Sequence, residues 1–179
     1  SWAPVITSMP PAGPHWAGLQ YGYTLETNES ATFDLNTNAT FLTISNGTIQ
    51  GTMSHGNFYV NITATSINGS LPACQNFTLV VREDSGDPTV NIIAPEAGSH
   101  LNHTSIELTW EGHDGQGTGI SYYSMRIDDG EWDRQGMNTS ASLHLEEGRH
   151  TIMIRAMDRL GNQGLDSVSV TIDTTAPVA

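Results

Sequence analysis

Along most of the chain apolar and polar residues alternate with a period of two. Ile106, Leu108 and Trp110 share one parity, with Glu107, Thr109 and Glu111 on the other. Tyr123, Met125 and Ile127 alternate with Ser124, Arg126 and Asp128. Ile152, Ile154 and Ala156 alternate with Thr151, Met153 and Arg155, and Val168, Val170 and Ile172 with Ser169, Thr171 and Asp173. Side chains of an extended strand point alternately to opposite faces, so each run predicts one face in a core and one in water. No stretch shows a 3.6-residue period. The predicted class is all-β, with antiparallel sheets packed face to face.

In the second half the pattern places strands near 89–94, 104–111, 120–128, 131–135, 140–145, 150–157 and 166–173. Turn chemistry falls between them: Asp128-Asp129-Gly130, Glu146-Glu147-Gly148 and Leu160-Gly161-Asn162. Asp-Gly suits a tight hairpin because it tolerates the positive φ such turns demand. Seven short strands over about 90 residues predict an immunoglobulin-like or fibronectin-type sandwich.

The first half is similar but less regular. Phe58, Val60, Ile62 and Ala64 alternate with Tyr59, Asn61 and Thr63, and Phe77, Leu79 and Val81 with Asn76, Thr78 and Val80. Further strands are predicted at 4–8, 20–27, 31–35, 40–44 and 48–52. The polar run Arg82-Glu83-Asp84-Ser85-Gly86-Asp87-Pro88 reads as a boundary. The expected organisation is therefore a sandwich at 1–83, a linker at 84–88 and a second sandwich at 89–175. Asp87-Pro88-Thr89-Val90 opens the second module, and Asp173-Thr174-Thr175-Ala176-Pro177-Val178 echoes it. Residues 176–179 thus read as the start of a linker to a further module, in a longer string of repeats.

Charge removes several functions. The chain of 179 residues carries 6 basic and 19 acidic side chains, a formal net charge of −13. Nucleic acid and anionic membrane surfaces both select for cations, so neither is an expected partner. No apolar run is long enough to insert in a membrane. The lone Cys74 excludes a disulfide framework and a Cys-rich zinc site.

Residues 3–82 resemble the dystroglycan-type cadherin-like, or putative-Ig, modules of bacterial and archaeal surface proteins. The resemblance lies in Pro4-Val5-Ile6-Thr7-Ser8, Tyr21-Gly22-Tyr23, Phe41-Leu42-Thr43-Ile44, Gly47-Thr48-Ile49-Gln50-Gly51-Thr52 and Gly56-Asn57-Phe58-Tyr59-Val60. Residues 87–177 resemble an Ig-like repeat of similar proteins, through Leu108-Thr109-Trp110, Gly119-Ile120-Ser121-Tyr122-Tyr123, Arg126-Ile127-Asp128, Trp132, Arg155-Ala156-Met157-Asp158 and Gly161-Asn162. The resemblance implies modular, non-catalytic architecture outside the cell and names no ligand. The first module lacks the Asp-x-Asn-Asp-Asn and Leu-Asp-Arg-Glu stretches of cadherins, so calcium-rigidified junctions of that kind are not implied.

The clearest chemical signal is N-glycosylation. The sequon Asn-x-Ser/Thr occurs at Asn28, Asn38, Asn46, Asn61, Asn68, Asn76, Asn102 and Asn138. With 12 Asn and about a fifth of residues Ser or Thr, chance predicts about two or three. Asn61 and Asn76 fall on the polar parity of their strands, where a glycan would project outward.

Other candidates read as structural. Glu83, Asp84 and Asp87 flank the boundary and offer the hard oxygens Ca²⁺ takes, but they match no EF-hand loop and read as a solvated linker. Asp128, Asp129, Glu131 and Asp133 read as a hairpin. His100 and His103 sit in a turn before a strand, without the Glu or Cys partners of a zinc site. No Gly-x-Ser-x-Gly elbow is present, and Cys74 reads as a loop thiol without a base. No catalytic residue, metal or cofactor is expected. Trp110 reads as a core tryptophan; Trp132 and Trp16 are candidates for exposed aromatics that stack on sugars, the alternative for Trp16 being that it covers the end of the first sandwich.

The expected role is a non-catalytic structural or adhesion module pair of an extracellular cell-surface or surface-layer glycoprotein, and not an enzyme. Its partners would be other surface-protein modules or cell-surface glycans. The competing reading is a pair of accessory domains, carbohydrate-binding among them, of a secreted hydrolase.

Overall fold

A computed structural model describes residues 3–69 and 71–175; the proposed linker at 176–179 lies outside them. The described residues contain strands and no helix. The chain divides into two compact units, the first ending at Asp84 and the second beginning at Ser85. Each is a β-sandwich.

In the first unit the strands are β1 (His15–Trp16), β2 (Gln20–Thr24), β3 (Ala31–Thr37), β4 (Thr43–Ser45), β5 (Thr48–Thr52), β6 (Gly56–Ser66) and β7 (Ala73–Arg82). One sheet has the order β1-β7-β6-β3 and the other β2-β5-β4. Their inner faces share one core, in which Tyr21, Tyr23 and Ile49 meet Val60, Ile62, Leu79 and Val81. The β4–β5 hairpin turns on Asn46-Gly47, both left-handed at φ 48° and 73°. That pair is the preferred two-residue hairpin loop because its twist matches the strands it joins. Gly51 on β5 lies so close to the chain before β4 that an added Cβ would stand 2.0 Å from the Phe41 carbonyl oxygen.

In the second unit the strands are β8 (Thr89–Ala94), β9 (Ser99–Leu101), β10 (Ser105–His113), β11 (Ile120–Ile127), β12 (Asp133–Gly136), β13 (Ser140–His144), β14 (Gly148–Asp158) and β15 (Gln163–Ile172). A β13-β10-β8 sheet packs on a β12-β11-β14-β15-β9 sheet. Ile106, Leu108 and Trp110 from the first meet Tyr123, Ile152, Ile154, Ala156, Val168 and Val170 from the second. Trp110 is 2% exposed and contacts the Tyr123 ring edge-on at 6.0 Å, an arrangement that adds quadrupole attraction to burial.

The structure departs from the sequence pattern in several places. Residues 4–8 form no strand: Ile6 makes a single bridge to Thr27. Instead a side-chain network holds the segment. Ser8 Oγ meets Tyr23 Oη at 3.0 Å, that hydroxyl donates to Gln75, and the Gln75 amide donates to the Ser8 carbonyl. Two short strands, β1 and β9, were not predicted, and both pair parallel to a long neighbour. The predicted 40–44 strand begins only at Thr43. In the β11–β12 hairpin the left-handed residue is Asp128, at φ 51°, and not Gly130. A carboxylate can occupy that region because it hydrogen-bonds locally.

Candidate functional site

Seven of the eight sequon asparagines are exposed: Asn28, Asn38, Asn46, Asn68, Asn76, Asn102 and Asn138. Asn28 and Asn38 accept backbone hydrogen bonds through Oδ1, from Val5 N at 2.7 Å and Tyr59 N at 2.9 Å. Asn61 differs. It sits on the central strand β6, in register with Asn36 on β3 and Asn76 on β7. It is only partly exposed, and its Oδ1 is buried with no partner among the described residues. Outward parity was right for Asn61, but neighbours on both sides crowd the position.

The second unit holds a buried pair of carboxylates. Asp158 ends β14 and is 3% exposed; Asp114 follows β10 and is 9% exposed. Their oxygens approach within 4.8 Å of one another. Asp158 organises the turn beyond it, accepting from Leu160 N at 2.8 Å, Gly161 N at 2.6 Å, Asn162 N at 2.8 Å and Asn162 Nδ2 at 2.7 Å. Asp114 Oδ2 accepts from Gly119 N at 2.5 Å, and its backbone carbonyl from Gly117 N at 2.7 Å. Backbone donors of this kind offset the cost of burying a carboxylate. Within this unit Asp114 and Asp158 are the oxygens a hard cation would find already assembled. The sequence pattern passed over both, because each looks like an ordinary turn acid.

A second feature lies on the outer face of the five-stranded sheet. The Arg126 and Arg155 guanidiniums stand 5.0 Å and 4.4 Å from the Trp132 ring centre, and that of Arg134 stands 3.9 Å from the Tyr122 ring. Arg126 Nη2 also donates to Met153 Sδ at 3.0 Å. Ser124 pairs with Arg155 on one side and Arg134 on the other, and is 3% exposed although it points away from the core. A small side chain there leaves room for the indole to lie across β11. Trp132 is therefore half-buried between cations and is not the exposed sugar platform the sequence suggested. Trp16, 8% exposed, is withdrawn as well.

At the end of the same sheet, His150 Nδ1 is 2.8 Å from Asp128 Oδ2, and Thr151 N donates to Asp128 Oδ1 at 2.8 Å. The Thr151 amide, then the histidine, hold the Asp128 carboxyl below its usual range. The Asp128 hydrogen bond raises the imidazole.

The remaining candidates stand apart. Cys74 lies in β7, not a loop, and is exposed; its Sγ is 3.8 Å from Thr63 Oγ1. His100 lies in β9 and His103 in the following turn, both exposed. Glu83 lies 3.9 Å from His55, its one ion-pair partner among the described residues. A groove between Pro10–His15 and Phe77–Arg82 has no Asp, Glu, Ser or Cys in its lining.

No family model and no curated protein matches the chain. Solved structures similar to it include fibronectin(III)-like modules of CbhA from Clostridium thermocellum, at 17% identity and a TM-score of 0.46, covering 95% of this chain and 94% of that one. SGBP-B of a mixed-linkage glucan utilization locus of Bacteroides ovatus, in complex with a mixed-linkage heptasaccharide, is 16% identical with a TM-score of 0.38. Protocadherin gammaB7 EC3-6, a cis-dimer structure, is 15% identical with a TM-score of 0.38. Each of the last two is covered over 96% of this chain, which spans 48% and 51% of their lengths.

Proposed function

We propose that the chain is a non-catalytic module pair of a longer extracellular glycoprotein, serving a structural or adhesive role at a cell surface. The observation that carries the reading is the exposure of seven sequon asparagines distributed over both sandwich units. Glycans on these sites would point into solvent without disturbing either core. The high negative charge keeps such a surface hydrated and opposes nonspecific association. The family reading belongs to the same proposal: a cadherin-like module followed by an Ig-like repeat, as in prokaryotic surface proteins. Modules of this kind act by extending or packing, so their partners are other surface modules or surface glycans.

The aromatic support for the accessory-domain reading is weaker, since Trp16 is buried and Trp132 is half-buried between two guanidiniums. Peptide mass spectrometry on the protein purified from its own cells tests the proposal. Glycans are expected on Asn76, Asn102 and Asn138. Unmodified asparagines throughout, or turnover of a polysaccharide abolished by one point mutation, would overturn it.

A further inference from the structure

The outer face of the β12-β11-β14-β15-β9 sheet has an unusual composition for so acidic a chain. Its outward residues from 122 to 126 on β11, 151 to 157 on β14 and 163 to 171 on β15 include no Asp or Glu. Of the six arginines, Arg126, Arg134 and Arg155 gather here over Trp132 and Tyr122. No sequon falls on the face: Asn102 and Asn138 lie in turns before β10 and β13. Ion pairs among the described residues involve only histidines, so none of these three guanidiniums is held by a carboxylate. The β11–β12 turn directly beside them carries the opposite charge. Asp129 and Glu131 are exposed there and are likewise outside any ion pair among the described residues.

A basic patch bordered by an acidic turn has the charges that a self-complementary contact under a two-fold rotation needs. We infer that this face is a homotypic docking surface, whose occupant is the same face of a second copy of this chain. A half-turn sets Arg134 of each copy against Glu131 of the other. Stacking on Trp132 and Tyr122 holds the guanidiniums in place beforehand, which lowers the ordering cost of association. Four strands at about 4.8 Å spacing and six residues at about 3.3 Å give roughly 400 Å² per copy. That is about half of a standard interface, so the dimer is weak and reversible. Its charged contacts make it sensitive to salt. The inference stands on the layout of charge and does not depend on glycosylation.

Sedimentation equilibrium on the unglycosylated full chain, at low and high salt, tests it. Self-association is expected at low salt and should fall as salt rises. Arg134→Glu and Glu131→Arg, both at exposed positions, should each weaken it about tenfold or more by placing like charges together. An equimolar mixture of the two variants should recover it, because each mixed pair restores both opposite-charge contacts. Unchanged melting curves establish that the variants are folded. A monomer at every salt and concentration, association untouched by either variant, or no recovery on mixing would overturn the inference. So would salt-sensitive binding of polygalacturonate by a strictly monomeric chain, which would assign the face to an acidic polysaccharide. Since the protein carries no glycan here, none of these results bears on the glycosylation reading.

Discussion

Asp128 and His150 meet at 2.8 Å, one in the left-handed turn after β11 and the other near the start of β14. The contact ties a hairpin turn to the central strand of the second sandwich. Its two partners titrate in opposite senses. His150 has a raised pKa, so its stabilisation is present below the unfolded value of about 6.5 and is lost as pH rises through the folded value. Asp128 has a lowered pKa, so its stabilisation is present above about 3.9 and is lost as pH falls through the folded value. The pair should therefore contribute most between about pH 4 and 6.5. An NMR titration is expected to put the His150 midpoint above about 6.5, and Asp128→Asn should return it toward that value. A His150 midpoint that ignores the substitution would refute the pairing. Asparagine tolerates positive φ, so the turn itself should survive.

Trp110→Ala should destabilise the second unit by about 3–5 kcal/mol, as expected for emptying a core aromatic site. Its Nε1 has no acceptor among the described residues, so no hydrogen bond is lost, and Trp110→Phe should cost less. Denaturant unfolding followed by fluorescence measures both. An unmoved transition would mean that the β10 register is wrong.

Gly51→Ala and Gly22→Ala form a matched pair on neighbouring strands of the first unit. A Cβ at Gly51 meets the Phe41 carbonyl, whereas one at Gly22 meets nothing within 4 Å. The first should cost about 1–3 kcal/mol through overpacking. The second should be neutral or slightly stabilising, since alanine has less freedom to lose on folding. Equal midpoints for the two variants would contradict the close approach of β5 to the preceding chain.

Asp158→Ala removes the acceptor for three backbone amides and the Asn162 side chain. Leu160 and Gly161 are exposed, so water replaces part of what is lost. A loss of about 2–4 kcal/mol is expected, with faster amide exchange at 160–162 as the local signature. Melting in Ca²⁺ and then in a chelator, with and without Asp158→Ala, reads separately whether a cation adds to what the amides supply.

Glycan occupancy should follow crowding on the first sheet. Asn76, on the outer side of β7, is expected to be modified, while Asn61, hemmed between Asn36 and Asn76, is expected to stay bare in protein from a glycosylating host. Peptide mapping distinguishes the two sequons. A glycan on Asn61 with Asn76 bare would show that crowding in the folded sheet does not decide occupancy.

The sequence by itself determined the class and most of the strands. Alternation is a local property, and burial of one face makes it unmistakable, as in Ile106-Leu108-Trp110 or Ile152-Ile154-Ala156. Runs 48–52 and 89–94 coincide with β5 and β8. The sequons are local too, so all eight are legible. What alternation cannot show is a strand defined by its neighbour. β1 and β9 are two and three residues long, and exist because β7 and β15 offer open edges for parallel pairing. Nor can it show which polar residues meet across strands. Arg126, Trp132 and Arg155 are up to 29 residues apart in sequence, and look like separate surface residues until the register of β11 and β14 brings them to one face. Asp114 and Asp158 are likewise turn acids in the sequence and a buried pair only in the fold. Burial and charge proximity depend on contacts between distant segments, and only the packed sheets decide those.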